Sequence, residues 1–114
     1  MSFSFTGGAL LTKAAKLSTT AATTILSTTQ RTNVLSIVCT EIAGGTPNLT
    51  VEVYDTANTT SYYVRNAKAM TAKETYIFNE FLVVPANWAL RVTSSVADQV
   101  DVVVNYMGPD ATAR

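Results

Sequence analysis

The chain is 114 residues long, the size of one ordinary domain, and needs neither disulfides nor metals to bury a core. Hydrophobic residues make up 47% and charged residues only 14%, with eight basic and eight acidic side chains and a formal charge of zero, so no positive field draws it to nucleic acid. One cysteine excludes an internal disulfide, and the absence of histidine removes the commonest catalytic base and metal ligand.

The first segment, Met1 to Leu17, has no basic n-region, and Ala9-Leu10-Leu11 is cut short by Thr12 and Lys13, which argues against a secretory leader and for synthesis in a cytoplasm. No stretch has the length of a membrane-spanning helix. The segment reads as an N-terminal arm over residues 1–17, although Leu10, Ala14 and Leu17 also fit the stripe of a short helix. The Ser/Thr-rich run that follows is poor helix and good strand, and places a strand at about Ala22 to Ser27. Val34 to Ile42 is apolar at both parities and reads as a central strand covered on both sides, with Cys39 as a buried, inert thiol.

Gly44-Gly45-Thr-Pro47 breaks the chain before the clearest alternation, Leu49 to Asp55, in which Leu49, Val51 and Val53 face inward and Thr50, Glu52 and Tyr54 outward. Shorter strands are expected at Ser61 to Arg65, Thr75 to Phe78 and Phe81 to Val84. Pro85-Ala-Asn-Trp88 reads as a tight turn, with Pro at the first corner and Asn at the second. Alternation returns at Trp88, Leu90 and Val92, and again at Val100, Val102, Val104 and Tyr106. The expected fold is therefore an all-β antiparallel sandwich of about seven or eight strands, jelly-roll-like or immunoglobulin-like, over residues 18–107, with a C-terminal tail at 108–114. Short connections imply hairpins.

No nucleophile–base set and no metal cluster can be assembled from these residues, so the reading is non-enzymatic, with no cofactor and no metal. Gly7-Gly8 and Gly44-Gly45 lack any phosphate-loop context and read as turns. Glu41, Glu52, Asp55, Asp98 and Asp101 read as solvated turn acids. Glu52 and Asp55 sit at opposite parity and cannot pair as acid and base. Asn48-Leu-Thr50 and Asn58-Thr-Thr60 match the glycosylation sequon and mean little without a leader. Of Tyr54, Tyr62, Tyr63 and Trp88, only Tyr54 is placed clearly outward, which disfavours an aromatic sugar platform.

The succession Thr23-Thr-Ile-Leu26, Val34 to Ile42, Leu49 to Asp55, Ser61-Tyr-Tyr-Val-Arg65, Phe81 to Ser95 and Ala97-Asp-Gln-Val-Asp-Val-Val-Val-Asn-Tyr106 resembles small virion proteins of tailed bacteriophages. Pro85-Ala-Asn-Trp88 departs from that group, where Glu-Ala-Gly-Asp is commoner. The resemblance implies a structural role in a virion: a capsid decoration (cement) protein that stabilises the head, or a neck, tail or head-fibre-base component. A carbohydrate- or host-surface-binding module is the alternative from a different class. The implied partners are further copies of the chain, as a trimer, and the major capsid protein, with no nucleic acid and no membrane. The residues expected at such interfaces are Phe3, Phe5, Leu10 and Leu11 of the arm, together with Tyr54.

Overall fold

The computed structural model describes residues 9–108, and Phe3, Phe5 and the tail beyond Gly108 lie outside them. Nine strands follow in chain order: β1 (Ala9–Lys16), β2 (Thr23–Ser27), β3 (Thr32–Glu41), β4 (Asn48–Asp55), β5 (Thr60–Ala69), β6 (Thr75–Phe78), β7 (Leu82–Val84), β8 (Ala89–Ser94) and β9 (Val100–Gly108). There is no helix among the described residues. All pairings are antiparallel, and they make two sheets. One runs β1-β9-β3-β6, with β7 also on β3, and the other runs β2-β8-β4-β5.

Taken with β6 and β7 as one interrupted strand, this order is that of a jelly roll, two interlocked Greek keys, and not that of an immunoglobulin domain. The expected chain of hairpins is corrected accordingly. Only β4 and β5 form a local hairpin, whereas β1 to β2, β2 to β3, β3 to β4, β5 to β6, β7 to β8 and β8 to β9 each step from one sheet to the other. A short loop suffices for that step because stacked sheets lie only about 10 Å apart.

The core lies between the sheets. Leu49, Val51, Leu90, Val92, Val102 and Val104 are fully buried, as their alternation requires. Each contributes roughly 1.5–3 kcal/mol relative to exposure. Cys39 is buried among them, and burial pushes its thiol pKa up to about 12, which leaves it inert at neutral pH. Leu17, at the end of the segment read as an arm, is also in the core.

The structure differs from the sequence reading at four further places. Ala9–Lys16 is not an arm without a partner: it pairs residue for residue with Gly108–Asp101 of β9 as the edge of the first sheet. β3 is central in its sheet, but only one face is covered, since Val34, Ile37 and Cys39 are buried while Leu35 and Val38 are part-exposed. The acids are not all solvated: Glu41, Glu52 and Asp55 are buried. Finally, Trp88 donates its N–H to the Pro85 carbonyl at 3.0 Å, so Pro85 opens the turn instead of taking its first corner. Asn87 takes the left-handed corner, at φ 67°.

The buried acids hold loops. The Glu41 carboxylate accepts hydrogen bonds from the backbone N–H groups of Ala43, Gly44, Gly45 and Lys73 at 2.8 to 3.1 Å, tying the β3–β4 connection to the turn before β6. Burial pushes its pKa up, but the four donors outweigh it and hold the group at about 2. Gly44 in this loop takes φ 83°, a corner open to glycine. Asp55 likewise accepts from Ala57 N, Asn58 N and Asn58 Nδ2 and closes the β4–β5 turn.

Candidate docking surface

Among the described residues no group of three or more His, Cys, Asp or Glu side chains could hold a metal, and no helix is long and apolar enough to cross a membrane. A shallow depression of about 300 Å³ borders Ala14, Lys16, Asp101 and Val103, with no convergent polar groups beyond the Lys16–Asp101 pair. The features that remain are the two outer faces of the sandwich, and they differ in kind.

The outer face of the β2-β8-β4-β5 sheet is occupied by its own side chains. The Arg91 guanidinium lies 3.8 Å over the Tyr54 ring and donates to Glu52 Oε2 through Nη2 at 2.7 Å and Nε at 3.2 Å, and to Ser61 Oγ at 3.2 Å. Glu52 is consequently buried beneath Arg91 although its parity is outward. Tyr54, proposed for an interface, does face outward but lies under this cation. The network satisfies the middle of the face, while Tyr63, opposite Glu52, is exposed at its β5 edge.

The outer face of the β1-β9-β3-β6/β7 sheet is not filled in this way. Its strand register sets out rows across the sheet. Ala14, Val103, Val38 and Ile77 form one row, and Leu10, Met107, Asn33 and Val83 another. Between them Thr12 donates to Asn105 Oδ1, and Asn105 Nδ2 donates to Ser36 Oγ, both at 2.9 Å. Leu35 enters at the register shift between Val34 and Ser36. Ile77 and Leu10 are 55% and 53% exposed, and Phe81, in the interruption between β6 and β7, is 63% exposed. The only charged side chains that the strands turn to this face are Lys16 and Asp101, and they neutralise each other at 3.1 Å.

Exposed apolar rows with so little charge are the feature of this sandwich that most resembles a contact surface. Leu10 stands on it, whereas Leu11, 42% exposed, points along the inner side of the sheet edge. The contributions of Val38, Ile77, Val83 and Val103 were hidden in the sequence. Their strands were legible, but the cue that would have found them, an apolar residue at the outward parity of several strands at once, depends on knowing which strands are neighbours.

A second exposed group lies on the other sheet. Tyr62 and Tyr63 of β5 are 52% and 59% exposed, against the expectation that Tyr54 alone faces out. Tyr62 stacks on Trp88 with centroids 5.6 Å apart and planes 10° from parallel. Tyr62 shares the inner parity with its partner Val53 and stacks on Trp88, which itself packs against the core.

No family model matches the chain, and no curated protein matches it. Among solved structures, a chain of "Cyanophage Pam1 capsid asymmetric unit" is similar, at 20% identity over 96% of this chain and 91% of that one, with a TM-score of 0.48.

Proposed function

We propose that the chain is a non-enzymatic structural component of a tailed-phage virion, a capsid decoration protein that lies with the outer face of its β1-β9-β3-β6/β7 sheet against the shell. The observation that carries this reading is the sparse, self-neutralised charge of that face, with its two apolar rows, beside a second face whose middle is filled by its own Arg91 network. The order of strands and turns that resembles small phage virion proteins supplies the setting, and a neck, tail or fibre-base position is the variant of the same reading. Four strands abreast at about 4.8 Å and eight residues at about 3.3 Å give roughly 500 Å² per copy, less than the roughly 800 Å² per partner of a standard interface. Weak contacts of that size become firm when many copies engage a repetitive surface together.

The test is binding of the purified chain to phage heads that lack it. Val38→Lys with Val83→Lys puts two unpaired, well-separated charges on the face, where each is tolerated in water but must be desolvated on docking. Binding is expected to fall by about 1,000-fold or more, at roughly 2–5 kcal/mol for each of the two desolvated charges, with the melting temperature little changed. Binding that survives the double substitution, or a parent chain that ignores heads and binds tails, overturns the assignment to the capsid.

A second reading is favoured by Tyr62 and Tyr63: aromatic side chains exposed at a sandwich margin suit a sugar ring. It predicts glycan binding that Tyr63→Ala abolishes and Val38→Lys does not.

A further inference from the structure

The sandwich has four lateral strands, and three of them are made unfit for further pairing. β6 and β7 are short and separated by Asn79–Phe81, β2 has five residues with a register shift between Thr24 and Leu26, and β5 has two register shifts against β4 and a left-handed residue, Ala67, at φ 52°. β1 has none of these devices. It runs eight residues in unbroken register with β9, without proline, glycine or bulge, and leaves its other edge unpaired among the described residues. Its side chains are exposed as an edge paired on one side leaves them, with Leu10 at 53% and Leu11 at 42%.

We infer that β1 is a self-pairing edge: two copies join antiparallel through β1 about a two-fold axis at Thr12, making one continuous sheet. The occupant is a second copy because an antiparallel edge is its own complement, and because the chain carries no net charge to hold copies apart. The register follows from the side chains. Opposed residues must share a face, and from Leu10 to Lys16 the even-numbered residues of β1 face outward and the odd-numbered inward. Pairing about Lys13 would set two ammonium groups opposite each other. Pairing about Leu11 leaves Ala14, Ala15 and Lys16 without partners inside the strand. Pairing about Thr12 sets Leu10 opposite Ala14, Leu11 opposite Lys13 and Ala9 opposite Ala15, so both leucines gain cover and the lysine stem lies along a leucine.

The consequence reaches the docking face. Joining two sheets edge to edge makes their net-neutral outer faces one surface of roughly 1,000 Å², twice the single-copy estimate and above the roughly 800 Å² per partner of a standard interface. In this respect the inference deepens the proposed docking function, but the pairing itself stands on the edge geometry and is read without any phage particle. A chain that pairs but does not bind heads refutes the docking alone, and one that binds heads as a monomer refutes the pairing alone.

Light scattering of the full chain over a rising concentration series is expected to show a dimer. Thr12→Cys places two thiols directly opposite across the axis at cross-strand spacing suited to a disulfide, and buried Cys39 does not compete. On mild oxidation it is expected to link at least about tenfold faster than Tyr63→Cys on β5, through the raised effective concentration. A mixture of Leu10→Cys and Ala14→Cys chains should cross-link with each other faster than either does alone, a pattern that only this register produces. A monomer at every concentration, a trimer, or cross-linking no faster at Thr12 than at Tyr63 and no faster in the mixture overturns the inference.

Discussion

Glu41 shows how much a single side chain decides in this fold. Its carboxylate fills the space between two loops and satisfies four backbone donors that would otherwise be buried without partners. The group titrates at about 2 in the folded chain against an ordinary value of 4.5, so between those values the unfolded chain binds more protons and stability rises with pH. The contribution is fully present above about pH 4.5 and is lost as the pH falls through about 2. Glu41→Gln turns an amide N–H₂ toward N–H donors, and should lower the melting temperature at neutral pH. The gap between parent and variant should close on acidification to pH 2, as measured by thermal denaturation at a series of pH values. Glu74, held low by the Thr71 N–H and by Lys68, adds a smaller acid-sensitive contact of the same sign, which persists in both chains. None of this was legible in the sequence, where Glu41 read as a solvated acid, because its four donors come from two loops, one of them more than thirty residues away.

At the scale of the strand, what was legible is what alternation encodes. Leu49 to Val53, Leu90 with Val92, and Val100 to Tyr106 have the facing their parity predicts, because a pleated strand offers only two sides. β1 was missed for a physical reason: Ala-Leu-Leu-Thr-Lys-Ala-Ala-Lys is an edge strand with both sides partly open, so it carries no clean alternation and its alanines favour helix. Turn geometry was read in outline but not in detail. The β4–β5 hairpin places Thr59, a β-branched residue, at φ 48°, a conformation that costs such residues free energy and that glycine adopts freely. Thr59→Gly loses the hydroxyl bond to the Asn58 carbonyl and adds chain entropy to the unfolded state, yet relief of the left-handed strain of about 1–2 kcal/mol should leave a net gain of roughly 0.5 kcal/mol. Calorimetry should register it as a rise of about 2–4 °C, whereas Thr60→Gly, within β5, should lower the transition.

At the scale of the whole described domain, the first and last strands meet in one sheet. β9 (Val100–Gly108) lies between β1 and β3, so the last of the described strands is inserted between the first and the third. This is the Greek-key consequence that an element-by-element reading does not reach, since each strand is recognisable alone but the neighbours are set by how the two sheets close over a shared core. Removing β1 would convert β9 into an edge. The exposed strand would be Val100-Asp-Val-Val-Val-Asn-Tyr106, long, regular and β-branched, with Asp101 deprived of Lys16 and with core residue Leu17 left at a chain end, no longer anchored by the strand before it. Deleting residues 1–16 should therefore do more than trim a terminus. It should lower the melting transition by well over 5 °C, the effect of losing more than about 1 kcal/mol in a domain of this size, and make the product aggregate at concentrations where the parent stays clear. The check is parallel calorimetry and light scattering on the two chains. A truncated chain that melts with the parent and stays in solution would show that β9 needs no cover, and that the first sheet does not depend on β1.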